Sequence, residues 1–206
     1  HACVGENSQS RTPPIHWIRV ARVNEEAGVD LVHADYYYEP EEVPEKGFNY
    51  IPVACMQCEN PPCVSVCPVQ ATWAEPDGIV VVDYDWCIGC RYCIVACPYG
   101  SRSFNFFAPW PRPHTAETGT PPNDKFPTRK KGAVEKCNFC AELLAEAQRE
   151  GKETYTPACV AVCPNNSLVF GDVSDPNSAV RKLLDENHTI VRKPALGTGP
   201  QIYYIV

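Results

Sequence analysis

The stretch Cys87-Ile-Gly-Cys90-Arg-Tyr-Cys93-Ile-Val-Ala-Cys97-Pro98 decides the fold. Its spacing is C-x2-C-x2-C-x3-C-P. Two cysteines separated by two residues can bridge, but a ladder of three cannot pair within itself, so a disulfide framework fails here. A structural zinc site takes four ligands as two hooks, and C-x2-C is a common hook. A triplet followed by a fourth cysteine before proline is not two hooks. The arrangement instead suits a polynuclear centre. Three cysteines wrap a tight loop around one corner, and the loop amides point inward. The fourth cysteine lies a helical turn on and points the other way, and the proline stops the helix.

This spacing matches the bacterial ferredoxin run residue for residue, in which the fourth cysteine ligates the neighbouring [4Fe-4S] cluster. Two further groups flank it. CMQCENPPCVSVCP carries Cys55, Cys58, Cys63 and Cys67, and CNFC with CVAVCP carries Cys137, Cys140, Cys159 and Cys163. Each group ends in C-x3-C-P. The pairing rule gives one cluster to Cys55, Cys58, Cys63 and Cys97, and a second to Cys87, Cys90, Cys93 and Cys67. By the same rule Cys137, Cys140 and Cys159 serve a third cluster, and Cys163 serves another. The third group therefore needs a partner group.

The totals frame this reading. The chain has 206 residues, 13 cysteines, 21 prolines and 12 glycines, so it holds many turns and few long elements. An odd cysteine count also fits a closed disulfide framework poorly. The formal charge of -7 argues against nucleic acid as a partner. No apolar run approaches a membrane span, and no targeting signal is visible at the start.

Around the motifs, residues 4–14 read as a loop and 15–23 as a strand. Residues 33–50 read as a strand with an irregular excursion. Residues 79–83 read as a strand and 88–96 as a short helix. A helix is expected over 138–150 and a strand over 167–171. A further helix is expected over 176–187, with Ser174 or Asp175 as its cap. The tail QIYYIV is an edge strand or a segment docked on a partner. The expected class is α+β, with tandem ferredoxin-like cluster-binding units and long irregular loops. Residues 51–104 form the two-cluster unit. Residues 1–50 plus 129–188 form a second, 107–128 a proline-rich insertion, and 189–206 a C-terminal docking tail.

ACMQCENPPCVSVCPVQAT, DGIVVVDYDWCIGCRYCIVACPYGSRSFN and KGAVEKCNFC carry a resemblance that extends over nearly the whole chain. The chain resembles the iron–sulfur electron-transfer subunits of the dimethyl-sulfoxide reductase type of molybdopterin oxidoreductase. Relatives occur in polysulfide, thiosulfate, tetrathionate and nitrite reductase complexes and in alternative complex III. The resemblance implies four cysteine groups, sixteen cysteines and four cubanes, against the thirteen present. Cys3, followed by Val4-Gly5-Glu6-Asn7, is then the fourth cysteine of a first group whose other three lie upstream of residue 1. Cys3 would complete the cluster of Cys137, Cys140 and Cys159. Cys163 would serve a fourth, whose remaining ligands lie upstream. The alternative keeps Cys3 as a free thiol and closes the third cluster with Cys163. A [3Fe-4S] centre, which needs three cysteines, stays open at the third or fourth position.

The resemblance also implies a relay of single electrons between a molybdopterin-type or related catalytic subunit and a polytopic quinone-interacting membrane subunit. The chain would lie peripherally on the cytoplasmic membrane, on its outer or periplasmic face, with the cytoplasmic face as the alternative. A ferredoxin-like region of a larger fused redox protein is a second reading, and a zinc-binding structural module a third. No catalytic constellation is present: there is no phosphate loop, no H-E-x-x-H and no nucleophile with a placed base. Lys125, Arg129, Lys130, Lys131 and Lys136 read as a solvated basic loop, or as compensation for cluster charge. Trp86, Tyr92 and Tyr99 read as packing that keeps water from a cluster.

Overall fold

The computed structural model describes residues 2–11, 13–24, 26, 28–30, 34, 45–110, 120–126, 129–152 and 154–206. Secondary structure is short throughout, as the proline and glycine content demands. Strand β1 (Arg19–Asn24) runs antiparallel between β2 (Gly28–Asp30) and β3 (Asn49–Val53), with Arg19 opposite Val53 and Ala21 opposite Ile51. Ala21, Ala34 and Val53 bury one face of this sheet. The remaining pairings among the described residues are two-stranded and antiparallel. They are β4 (Thr72–Ala74) with β5 (Val80–Val82), β6 (Ser103–Phe104) with β7 (Val134–Glu135), and β8 (Thr189–Ile190) with β9 (Tyr204–Ile205).

Helices fall just before, just after or around the cysteines. Helix α1 (Ala2–Glu6) contains Cys3, α2 (Pro62–Ser65) contains Cys63, and α3 (Tyr92–Ala96) contains Cys93. Helix α4 (Ala141–Arg149) starts directly after Cys140, and α5 (Ala158–Ala161) contains Cys159. Helix α6 (Ala179–Glu186) stands apart from the cysteines in sequence. Helices α2 and α3 pack together, as do α1 and α5.

Several expectations shift. The segment 4–14 opens in a helical turn rather than a loop. The strand expected over 15–23 begins at Arg19, because Ile15 and Trp17 turn into the cysteine-rich core. The excursion expected over 33–50 lies largely outside the described residues. Residues 167–171 form no strand: Phe170 leaves the backbone ladder to pack edge-on against Phe139 and Tyr155, with ring centroids 5.3 and 5.1 Å away. Helix α6 is capped by Ser178, whose hydroxyl accepts from the Arg181 amide at 3.1 Å. Asp175 instead accepts from the Asn177 amide at 2.8 Å, forming the turn before the helix. Residues 111–119 and 127–128 of the proline-rich stretch lie outside the described residues.

The tail packs within the chain. The Glu59 and Asn60 amides donate to the Gly199 and Thr198 carbonyls at 2.8 and 3.0 Å, and the Gln201 amide donates to the Met56 carbonyl at 2.8 Å. The Tyr204 hydroxyl donates to the Pro52 carbonyl at 3.0 Å. The tail thus braces the loop that carries Cys55 and Cys58. Cysteines are built into the core among apolar side chains. Cys55 and Cys137 share a cluster with Ile15, Trp17, Tyr84, Phe126 and Ala133, and Cys58 shares one with Met56 and Tyr99.

Candidate metal centres

Three loops repeat one backbone pattern. The first C-x-x-C of each group has a left-handed residue at its third position: Gln57 at φ 44°, Gly89 at 72° and Phe139 at 54°. This turn directs successive amides to one side, the geometry of an anion-binding nest. Each C-P pair is followed, two residues past the proline, by another left-handed residue: Gln70 at 53°, Gly100 at 61° and Asn166 at 50°. The amides of these residues donate back to the Cys67, Cys97 and Cys163 carbonyls at 3.3, 3.3 and 3.2 Å. The third group therefore folds like the first two, although eighteen residues separate its halves.

Cys55, Cys58, Cys63 and Cys97 line one cavity, together with Met56, Pro62, Val80 and Arg102. Burial pushes the Cys58 thiol up to about 11, and the nearby Cys55, Cys63 and Cys97 add to the rise. Cys63 is also raised by burial, but the Arg102 guanidinium opposes the rise. Among the described residues no three His, Cys, Asp or Glu side chains converge at single-ion distance. These four stand around a volume. Arg102 Nε and Nη1 are buried at its edge without an oxygen acceptor among the described residues. An anionic cluster with sulfide acceptors fits such a cavity, with its four thiols and its unanswered cation.

The second set is more open. Cys93 lies on α3 and Cys67 follows α2, and these two helices pack together. Cys87 packs against the cysteine-rich core and accepts from the Val134 amide at 3.4 Å, while Cys90 is exposed. Gly89 presses against the opposite loop: a Cβ there would stand 2.1 Å from the Gly132 carbonyl oxygen.

Cys3 is joined to the third group. Helix α1 packs on α5, and the Asn7 amide nitrogen lies 3.8 Å from Cys3 Sγ and 3.7 Å from Cys140 Sγ. Gln9 Nε2 donates to Cys3 Sγ at 3.2 Å, and Gln9 Oε1 accepts from the Trp17 amide at 3.1 Å. Burial pushes the Cys3 thiol up to about 12; Gln9 opposes this, and Cys140 and Cys159 reinforce it. Cys137 is raised by burial first and then by Cys3 and Cys55. Cys163 lies outside this pocket. Its thiol is held below the ordinary range by the Ser167 hydroxyl and the Leu168 amide. The buried thiols raised in this way are neutral at pH 7, so metal loading must expel their protons.

Two members of the basic run are not solvated. Arg129 and Lys136 are 1% and 2% exposed. Arg129 pairs with the buried Glu135 at 2.5 Å and lies over the rings of Trp17, Tyr84 and Phe126. It donates to the Asn7 and Ser8 carbonyls at 2.6 and 2.8 Å, which fixes the segment after Cys3. Lys136 donates to the Val80 carbonyl and, at 2.8 Å, to the Cys137 carbonyl. Lys125 does behave as a surface residue, paired with Glu146. Of the aromatic residues expected to shield a cluster, only Tyr99 is buried; Trp86 and Tyr92 are 66% and 62% exposed. With Ile88, Val95, Phe106 and Phe107 they leave apolar surface around the second group.

Sequence reasoning passed over Arg102, Gln57 and Gln9. Gln57 spans the site: it donates to the Cys137 carbonyl and accepts from the Val80 amide, both at 2.8 Å. Its position inside C-x-x-C was the available signal.

Residues 47–106 and 79–164 each match a family described as a 4Fe-4S dicluster domain. The chain is 40% identical to the Hdr-like menaquinol oxidoreductase iron-sulfur subunit 1 of Archaeoglobus fulgidus, over 98% of this chain and 70% of that protein. It is 41% identical to the menaquinone reductase iron-sulfur cluster-binding subunit of Nitratidesulfovibrio vulgaris, over 79% and 67%. It is 40% identical to the B polypeptide of polysulfide reductase from Wolinella succinogenes, over 81% and 73%. For other relatives the share of their length that is matched falls to 51–55%. The chain belongs to the family of 4Fe-4S dicluster subunits that serve oxidoreductases of the dimethyl-sulfoxide and polysulfide reductase type. It is an iron–sulfur electron-transfer protein with multiple [4Fe-4S] clusters and ferredoxin-like cluster domains.

Proposed function

We propose that four cysteine sets divide the relay. Cys55, Cys58, Cys63 and Cys97 hold the first cluster. Cys87, Cys90, Cys93 and Cys67 hold the second, and Cys137, Cys140, Cys159 and Cys3 the third. Cys163 serves a fourth. The observation that carries the proposal is the single cavity ringed by Cys55, Cys58, Cys63 and Cys97, which unites the first group with the last cysteine of the second. The proximity of Cys3 to Cys140 and Cys159 supports the third set.

A bound cubane supplies one-electron chemistry. The protein's part is to hold it, exclude water and tune it. Met56, Val80 and Tyr99 keep the first cavity apolar. The left-handed turns aim amides at each site, and each such donor favours the more reduced, more negative form. Exposed Trp86, Ile88, Tyr92 and Val95 beside the second set offer a partner surface where an electron would enter or leave. The partners we propose are a molybdopterin-type or related catalytic subunit and a quinone-interacting membrane subunit, with this chain held peripherally on the membrane. Among the described residues no helix is long and apolar enough to cross a membrane.

Iron and acid-labile sulfide, counted per chain on anaerobically prepared intact complex and corrected for other subunits, test the proposal. About sixteen of each supports four clusters, at four irons per cubane. About twelve removes the fourth site. Zinc without sulfide would overturn the ligand sets altogether.

A further inference from the structure

The two buried arginines differ in what answers their charge. Arg129 has Glu135. Arg102, 6% exposed, has no carboxylate among the ion pairs of the described residues. Its Nη2 lies 2.9 Å from Cys63 Sγ and 3.0 Å from Thr72 Oγ1. The Thr72 hydroxyl gives its proton to the Val81 carbonyl at 2.6 Å, so it meets Arg102 as an acceptor. Among the described residues Nε and Nη1 are buried without an oxygen acceptor. A buried guanidinium whose described partners are thiols and one hydroxyl is expensive unless negative charge stands beside it. Cys63 is on α2, Cys93 is on α3, and these helices pack together. Arg102 also makes a side-chain hydrogen bond with Cys93, so one guanidinium reaches a thiol on each of the two helices.

We propose that Arg102 is a redox-tuning cation shared by the first and second clusters, standing between Cys63 and Cys93 and raising both potentials together. The inference rests on the ligand sets proposed above. A positive charge at the junction stabilises the reduced, more negative form on either side. Lys136 supplies a contrast. It donates to the carbonyls of Val80, which lines the first cavity, and of Cys137, and so lies toward the first and third sets.

The test uses the intact holo complex, with iron and sulfide measured first, followed by potentiometric titration read by EPR. A wild-type protein without clusters defeats the underlying reading and not this inference alone. With clusters present, Arg102→Gln is expected to shift the first and second reduction equilibria at least tenfold toward the oxidised form, about 59 mV for one electron. The third stays in place. Arg102→Lys retains most of both potentials, and Lys136→Met moves the first and third instead. Unchanged potentials in Arg102→Gln, or an equal shift of all signals, would overturn the proposal. If Arg102→Gln does not load, wild-type protein with 15N-arginine decides by pulsed EPR. A nitrogen coupling on two cluster signals, lost in Arg102→Lys, supports the shared cation; its absence from either overturns it.

Discussion

Arg129 shows how much one side chain can organise at the residue scale. Its guanidinium meets a carboxylate, two backbone carbonyls and three aromatic faces, with no exposed surface on the charged pair. Removing one partner of a buried pair leaves the other charged and dry, typically a loss of about 3–5 kcal/mol. Arg129→Met should therefore lower stability by about that amount, read as a shift of the urea midpoint of Trp17 fluorescence. It should also loosen the segment around Cys3 before the rest. Gly89 makes the opposite kind of demand. A Cβ there would meet the Gly132 carbonyl at 2.1 Å, and φ is +72°. Gly89→Ala should push the 87–90 loop away from residue 132. The expected result is loss of the second cluster, about four irons fewer per chain, with the other sites retained. Unchanged iron would show that this contact yields freely.

At the element scale the recurring unit is a short helix, a cysteine, a proline and a left-handed residue. The helix is too short to persist alone, and the turn after it fixes where the chain goes next. Left-handed backbone disfavours a β-branched side chain by roughly 1–2 kcal/mol and suits glycine. Asn166→Val should thus destabilise the third group by about that much, while Asn166→Gly stays near neutral. Differential scanning calorimetry of the two variants checks it. Ser178→Ala, at the cap of α6, should cost about 1 kcal/mol and leave every cluster signal intact, which separates this helix from the redox part.

The cysteine groups and their shared C-x3-C-P ending were legible in the sequence, because ligand spacing is local and a C-P stop has one backbone reading. The cap of α6 was not, since Asp175 and Ser178 are both competent caps and only geometry selects between them. The burial of Arg129 and Lys136 was also hidden. A basic run looks solvated until the fold brings Glu135, Trp17 and Cys137 around it. Trp86 and Tyr92 failed in the other direction: their apolarity says that they seek cover, not that this chain provides it.

Over the whole molecule, the described core consists of small apolar clusters with cysteines built into them, rather than stacked helices or a large sheet. Such a core is not complete without what the thiols bind, so loading and folding are one process. Anaerobic removal of iron by a chelator should abolish the burial of Trp17, seen as a red shift of the tryptophan emission that is absent from a Trp17→Phe variant, and broaden the thermal transition. Retention of native emission after complete iron loss would contradict this.

Asn7 touches the Cys140 sulfur across 133 residues of chain. A ribosome adds about 5–20 residues per second, so the Cys3 thiol waits on the order of 10 s before its neighbours exist. This site cannot close during synthesis of the segment that begins it. As a ligand of the proposed third set, Cys3 would have to stay reduced and unclaimed through that interval, and the half of the site made first would be among the last to mature.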